Sequence, residues 1–376
     1  MEAKTAVTSL FLLVSDFPSG ANWDQVQLLA TELSQARRPV VVGVVGSAIK
    51  PTADALRATG VNVETMVIRH PFDLRGIRRF RSVLRAAHPD VIHAFGPTAV
   101  RLIRWVVTRR GEMNAPRWVA SDVAHPGSGW KGWLTTRLLR QADRVIASGW
   151  AEGERYRRLG VRSERLTRIH PAAPPPGEAP NRADFCQAIA APDNATLIFA
   201  GGQLDALHGV KDAVTAFDML RYESPALYLV LTGSGPDRTV AEDYGRALAF
   251  DDFRIRFTGE RPDLPAVTQH AALVWITRAW GGAHLALRAM AAGKPVVAYH
   301  TPELAEVIDD GITGFLVPPG DRAAIAAKSH VLLSDPELAA RMGAAGRHRA
   351  GERFSPARMV EQHSRVYQEV VYERGA

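Results

Sequence analysis

The sequence predicts an α/β protein of two doubly wound, parallel-sheet domains that face each other across a cleft. Three observations carry that expectation. The chain has 376 residues, enough at roughly 150 per domain for two domains that each bury a core. Short apolar runs alternate with longer amphipathic segments along the whole length, the pattern of parallel sheets covered on both faces. One stretch at 171–180, with five prolines in ten residues, interrupts the alternation near the middle. It can continue neither a helix nor a central strand, so it reads as a linker.

In the first half the strand-like runs are 10–14, 40–45, 61–68, 91–95, 118–121 and 144–148. Helical patterns fill the gaps. In 22–37, Trp23, Val26, Leu28, Leu29, Leu33 and Ala36 cluster on one face. After the linker the runs are 195–201, 226–231, 253–257, 273–276, 295–298 and 314–317. The tail from 356 reads as one helix with Met359, His363, Val366 and Val370 on a stripe. The expected domains are 1–172 and 184–355, joined by a linker at 173–183, with the helix at 356–376 placed to cross back to the first. Ligands of such sheets bind outside the carboxyl ends of the strands, which makes the cleft the expected site.

Composition excludes several classes. With 46% hydrophobic and 23% charged residues the chain is not a disordered segment, and its one cysteine, Cys186, allows neither an intrachain disulfide nor a thiolate metal cage. A reducing compartment fits best. The net charge of +7 is unevenly spread: 26 basic and 14 acidic residues stand in 1–175, against 20 and 25 in 176–376. A basic half suits a phosphate-rich or membrane surface, although only six of the 46 cations are Lys, which is also what compositional bias produces. The longest apolar stretch, 40–49, is about half of the ~20 residues a membrane helix needs. Glu2 and Lys4 precede an apolar run, but Asp16 follows it at once, so a first strand is expected there rather than an export signal.

Most catalytic motifs are missing. Gly233-Ser-Gly235 follows a strand, yet a dinucleotide fingerprint would want glycine where Arg238 stands. There is no Gly-Lys-Ser/Thr loop, no nucleophile elbow and no Asp-x-Asp, and no histidine pair has metal-ligand spacing, so no metal is expected. One segment, 275–298, runs strand, glycine turn, helix, glycine stop, strand. Gly281 and Gly282 would let a phosphate approach the helix amides, while an ordinary βαβ crossover gives the same pattern. Residues 130–140 mix Trp130 and Trp133 with Lys131, Arg137 and Arg140, which suits an anionic lipid surface, although tryptophans at helical spacing are more often core. No nucleic-acid motif accompanies them.

Several blocks occur in one order: Phe-Ala-Gly-Gly at 199–202, Gly-Ser-Gly-Pro at 233–236, Phe-Thr-Gly-Glu at 257–260, Ala-Met-Ala-Ala-Gly-Lys-Pro-Val-Val-Ala at 289–298, and the segment 302–321 that begins Pro-Glu-Leu-Ala-Glu-Val. Pro-Asp-Val-Ile-His-Ala at 89–94 and Ala-Asp-Arg-Val-Ile-Ala-Ser at 142–148 precede them. Together they resemble the family-4 (group 1) glycosyltransferases, with a GT-B fold of two Rossmann-like domains. The resemblance implies transfer of a sugar from a nucleotide-sugar to a glycan or lipid-linked acceptor, as in polysaccharide biosynthesis, with no cofactor or metal required. It implies work in the cytoplasm, with peripheral contact at the membrane inner face through the basic first domain. By position it assigns the donor to Gly202, Gln203, His208, Lys211, Gly233, Trp280, Gly281, Gly282, Ala283, His284, Arg288 and Glu306. It assigns an acceptor-side loop to Gly20 and Asn22, and brings His125 near the sugar, where a structural histidine is the competing reading.

The chain departs from the family at its charged positions. The family's Gly-Arg-Leu-x-x-x-Lys-Gly loop matches 202–209, where Gln203 and His208 replace the two cations that stabilise the leaving diphosphate. Its two glutamates, eight positions apart, correspond to Trp280 and Arg288, so no catalytic residue is assigned. Two readings follow. Either the donor site is rebuilt, with the Arg288 guanidinium, Lys211 and a Trp280 stacking face, or transfer is lost and the protein serves as a binding or assembly subunit.

Overall fold

The computed structural model describes residues 9–15, 21–46, 50–68, 73–105, 115–123, 127–205, 209–249, 253–261 and 263–373. The chain forms two compact units, Met1–Pro171 with Pro356–Ala376, and Ala172–Ser355.

Among the described residues the first unit holds seven strands: β1 Leu10–Ser15, β2 Val40–Val45, β3 Asn62–Met66, β4 Val91–Phe95, β5 Arg117–Ser121, β6 Arg144–Ala147 and β7 Leu166–Arg168. They pair in parallel in the order β3-β2-β1-β4-β5-β6-β7. Leu10 stands opposite both Val40 and Val91. Because β1 is covered on both faces, Phe11, Leu12, Leu13 and Val14 are all fully buried, and the strand reads as a continuous apolar run.

The first helix, Ala21–Gln35, buries Trp23, Val26, Leu29, Ala30 and Leu33. Leu28 is only half-buried, and Ala36 is exposed because the helix ends at Gln35 and Arg37 turns into the left-handed region. The last helix, Pro356–Tyr372, belongs to this unit and buries the expected stripe of Met359, His363, Val366 and Val370. It is pinned to β4 by polar contacts. His93, fully buried, has its Nδ1 2.7 Å from the Tyr367 hydroxyl and its Nε2 3.0 Å from Ser121 Oγ. Burial lowers the pKa of His363 to about 4 and that of His93 well below the ordinary value, so both rings are neutral.

The second unit holds β8 Thr196–Gly201, β9 Leu227–Thr232, β10 Ile255–Gly259, β11 Leu273–Ile276, β12 Val296–Tyr299 and β13 Gly314–Val317, parallel in the order β10-β9-β8-β11-β12-β13. Alternate residues of β8 feed opposite faces: Leu197 and Phe199 join one core with Ala286 and Met290, while Ile198 and Ala200 join another with Phe217 and Trp275. Trp275 is buried there and donates its indole N–H to Ser329 Oγ at 2.6 Å. The order reverses between β8 and β11, which opens a crevice beyond their carboxyl ends.

Beyond one-residue shifts at strand ends, three strands need correction; the one expected at 61–68 spans only Asn62–Met66. Strand β7 was not expected, since Leu-Thr-Arg is too short and polar to stand out. The strand expected at 253 starts at Ile255, because Phe253 instead lies under the Arg246 guanidinium, 4.7 Å away. Of the two readings of Trp130 and Trp133, the exposed one fits: both project from the helix Gly129–Leu139, 58% and 64% exposed, while Gly132, Thr135 and Leu139 fill its buried face.

Candidate functional site

The site grows from the two strand ends that flank the order reversal in the second unit. β8 ends at Gly201, and the chain continues through Gly202 and the exposed Gln203 to Leu204, which is buried. Leu204 N–H donates to Ser234 O, and its carbonyl accepts from Asp237 N–H. The loops after β8 and β9 are thereby held together. Gly233 is required at this junction: φ is +105°, and a Cβ there would stand 1.8 Å from the Gly202 carbonyl oxygen.

On the other lip, β11 ends at Ile276 and is followed by Thr277, Arg278, Ala279, Trp280, Gly281 and Gly282. Thr277 Oγ1 donates to Gly209 O at 2.9 Å, tying this loop to the far end of the loop after β8. Gly282, with φ of +92°, starts the helix Ala283–Ala291, whose N-terminus no side chain caps. Such an end presents N–H groups and the positive end of the helix dipole.

Arg278 occupies the space between the lips. Its side chain lies against Gly282, its guanidinium is 5.4 Å from the Trp280 ring centre, and a Cβ on Gly202 would stand 4.0 Å from its Nη1. Only 8% of the residue is exposed. Burial lowers its pKa to about 10, with Asp205 and then the buried Glu303 pulling it back up. A small recess of about 30 Å³ lies between the sheet and Ala283–Ala291; Gly201, Thr232, Leu285 and Arg288 are among its walls.

Of the sequence candidates, Gly202, Gly233, Trp280, Gly281 and Gly282 converge on these loops, and Arg288 lines the recess. Ala283 and His284 form the first turn of the helix. Glu306 ends the short helix Pro302–Ala305 and is half-buried; its carbonyl oxygen accepts from Arg349. Lys211 is exposed on the first turn of Val210–Leu220. His208, Gly20 and His125 lie outside the described residues, as does the side chain of Asn22.

Sequence reasoning missed Arg278 and Glu303, and in the first unit Asp122. The sequence shows Arg278 only as an arginine two residues past a strand end; that the sheet order reverses there is seen in the structure alone. Asp122 follows β5 with a left-handed φ of +58°, and burial, then the neighbouring Glu152, raise its pKa well above the ordinary carboxyl range. Close by, Glu152 accepts from Ser148 N–H at 2.6 Å and from the Tyr156 hydroxyl at 2.7 Å, and that hydroxyl accepts from Val123 N–H at 2.8 Å. Among the described residues no group of three or more His, Cys, Asp or Glu is placed to hold a metal ion.

The sequence model described as glycosyl transferases group 1 matches residues 181–349, and that described as a glycosyl transferase 4-like domain matches 20–172. The chain belongs to the group 1 glycosyltransferases. Similar proteins within the reach of this family include EpsD of Bacillus subtilis, 25% identical over 80% of this chain and 82% of its own. The D-inositol 3-phosphate glycosyltransferase of Salinispora tropica is 27% identical over 79% of this chain and 67% of its own. Among solved structures, Anabaena HepE in complex with UDP and glucose superposes with a TM-score of 0.81 at 20% identity, covering 96% of this chain and 99% of that one. That likeness is one of fold, and the fold is GT-B.

Proposed function

We propose that this group 1 glycosyltransferase moves a sugar from a nucleotide-sugar held in the second unit to a glycan or lipid-linked acceptor taken by the first unit. The observation that carries the reading is the convergence of Gly202, Gly233 and Gly281–Gly282 with a buried guanidinium at one uncapped helix N-terminus. Glycines let a ligand come close to the backbone, and the helix end favours anions. The UDP and glucose named with HepE are ligands of that chemical kind.

In the reaction the acceptor oxygen bonds to the anomeric carbon as the bond to the diphosphate oxygen breaks. The electron pair leaves on the diphosphate, and the acceptor's hydroxyl proton passes to a base or to the departing phosphate. Charge therefore grows on the diphosphate in the transition state, where fixed N–H dipoles and cations are most effective. Trp280, half-buried beside the glycines, offers an aromatic face to the donor sugar, and Glu306 offers a carboxylate to its hydroxyls or to ribose. In the first unit, Gly20 and Asn22 are assigned to the acceptor side on the family pattern, and His125 to the neighbourhood of the sugar.

The protein works in the cytoplasm and touches the inner membrane face through its basic first unit. Exposed Trp130 and Trp133 beside Lys131 support that contact, and no described helix is long and apolar enough to cross a membrane. Incubating the protein with UDP-, GDP- and ADP-sugars and membrane or glycan acceptors, with product mass spectrometry, tests the reading. Sugar transfer to an acceptor is expected. Binding of nucleotide-sugars without any turnover would return the chain to the role of an assembly subunit.

A further inference from the structure

We infer that Arg278 is the residue that grips the donor's diphosphate, replacing from the opposite lip of the crevice the two loop cations whose positions Gln203 and His208 occupy. The inference rests on the donor role proposed for the second unit and names a residue that the family pattern does not assign. In that pattern the cations follow the strand equivalent to β8. Arg278 follows β11, the strand next to β8 where the sheet order reverses, so its side chain reaches the same crevice from the other side.

Four features argue for a ligand rather than a structural ion pair. The residue is 8% exposed, and its Nε is buried with no hydrogen-bond acceptor among the described residues. Burying a guanidinium is unfavourable, and the arrangement persists where an incoming anion offsets that cost. Asp205 and Glu303 attract the group, yet burial outweighs them. Stacking beside Trp280 and packing against Gly282 fix the direction of the fork. Finally, a Cβ on Gly281 would stand 3.9 Å from the Arg278 Cζ, so the charge lies beside the same glycines that open the helix N-terminus. A planar guanidinium donates two parallel N–H bonds to phosphate oxygens, and the helix end adds its own donors.

The test is a calorimetric series on the full chain with a nucleoside, its monophosphate and its diphosphate, using the uridine, guanosine and adenosine sets. Wild-type protein is expected to gain affinity with the β-phosphate, and Arg278→Gln to lose about 10- to 100-fold for the diphosphate while holding the nucleoside unchanged. Arg278→Lys, which keeps the charge but not the fork, should lose less, and it carries the test alone if the Gln variant does not fold. Unchanged diphosphate affinity in both variants would overturn the inference and leave the donor site standing. Equal losses for nucleoside and diphosphate would also overturn it, by showing that Arg278 only supports the loops. Wild-type protein that binds none of the three diphosphates would overturn the functional reading together with this one.

Discussion

The Arg278 guanidinium lies over the Trp280 indole, 5.4 Å from the ring centre, with Gly282 packed against the aliphatic part of the same side chain. The aromatic face favours the cation, and the glycine leaves room for its stem. A Cβ on Gly282 would stand 2.9 Å from Arg278 Cδ and 3.0 Å from Ile276 Cγ2, at a φ of +92°. Gly282→Ala should therefore cost about 1–3 kcal/mol of stability and displace Arg278. Denaturant titration and nucleoside diphosphate binding on the same variant check both effects, and wild-type values in each would contradict them.

The first unit should lose stability in acid. His363 has its folded pKa lowered to about 4 and His93 is also lowered, so between pH 6.5 and 4 the unfolded chain binds protons that the folded chain refuses. Their stabilisation is complete above the unfolded value near 6.5 and is lost as pH falls towards the folded one. For His363 it amounts to about 3 kcal/mol. Melting temperature against pH should fall through this window, and His363→Gln should flatten the slope.

Tyr156 links β5 to the helix Trp150–Arg158 by donating to Glu152 and accepting from Val123 N–H. Tyr156→Phe takes the acceptor from Val123 N–H and the donor from Glu152 Oε1, while Glu152 Oε2 keeps Ser148 N–H. A loss of about 1–3 kcal/mol in urea unfolding is expected, and no loss would show that water replaces the hydroxyl.

Trp130, Trp133, Arg137 and Arg140 stand three, four and three residues apart on the exposed side of one helix and its cap, in a stretch from 123 to 142 without any Asp or Glu. Replacing both tryptophans with Ala should weaken co-sedimentation with phosphatidylglycerol vesicles about tenfold while leaving the fold intact. Equal binding by the double variant would remove this face from the membrane contact.

The strands 40–45, 91–95, 273–276 and 314–317 were legible to the residue because each is an apolar run bounded by polar or turn residues. The sheet order was legible only as a class, since parallel pairing leaves no mark in local sequence. The glycines of the candidate site were legible for a physical reason: Gly233 has no substitute where the Gly202 carbonyl comes so close. Arg278 was not. Its importance comes from burial between two loops distant in sequence, and an Arg between Thr277 and Ala279 carries no local sign of that. For Trp130 and Trp133 the sequence leaves a surface and a core reading open, because helical spacing does not say which face turns inward.

Hydrogen–deuterium exchange with and without a saturating nucleoside diphosphate tests the central claim most directly. Protection concentrated in the amides of 201–205 and 281–288 is the predicted result. Protection elsewhere with none in these two segments would contradict the placement of the donor at the β8 and β11 strand ends.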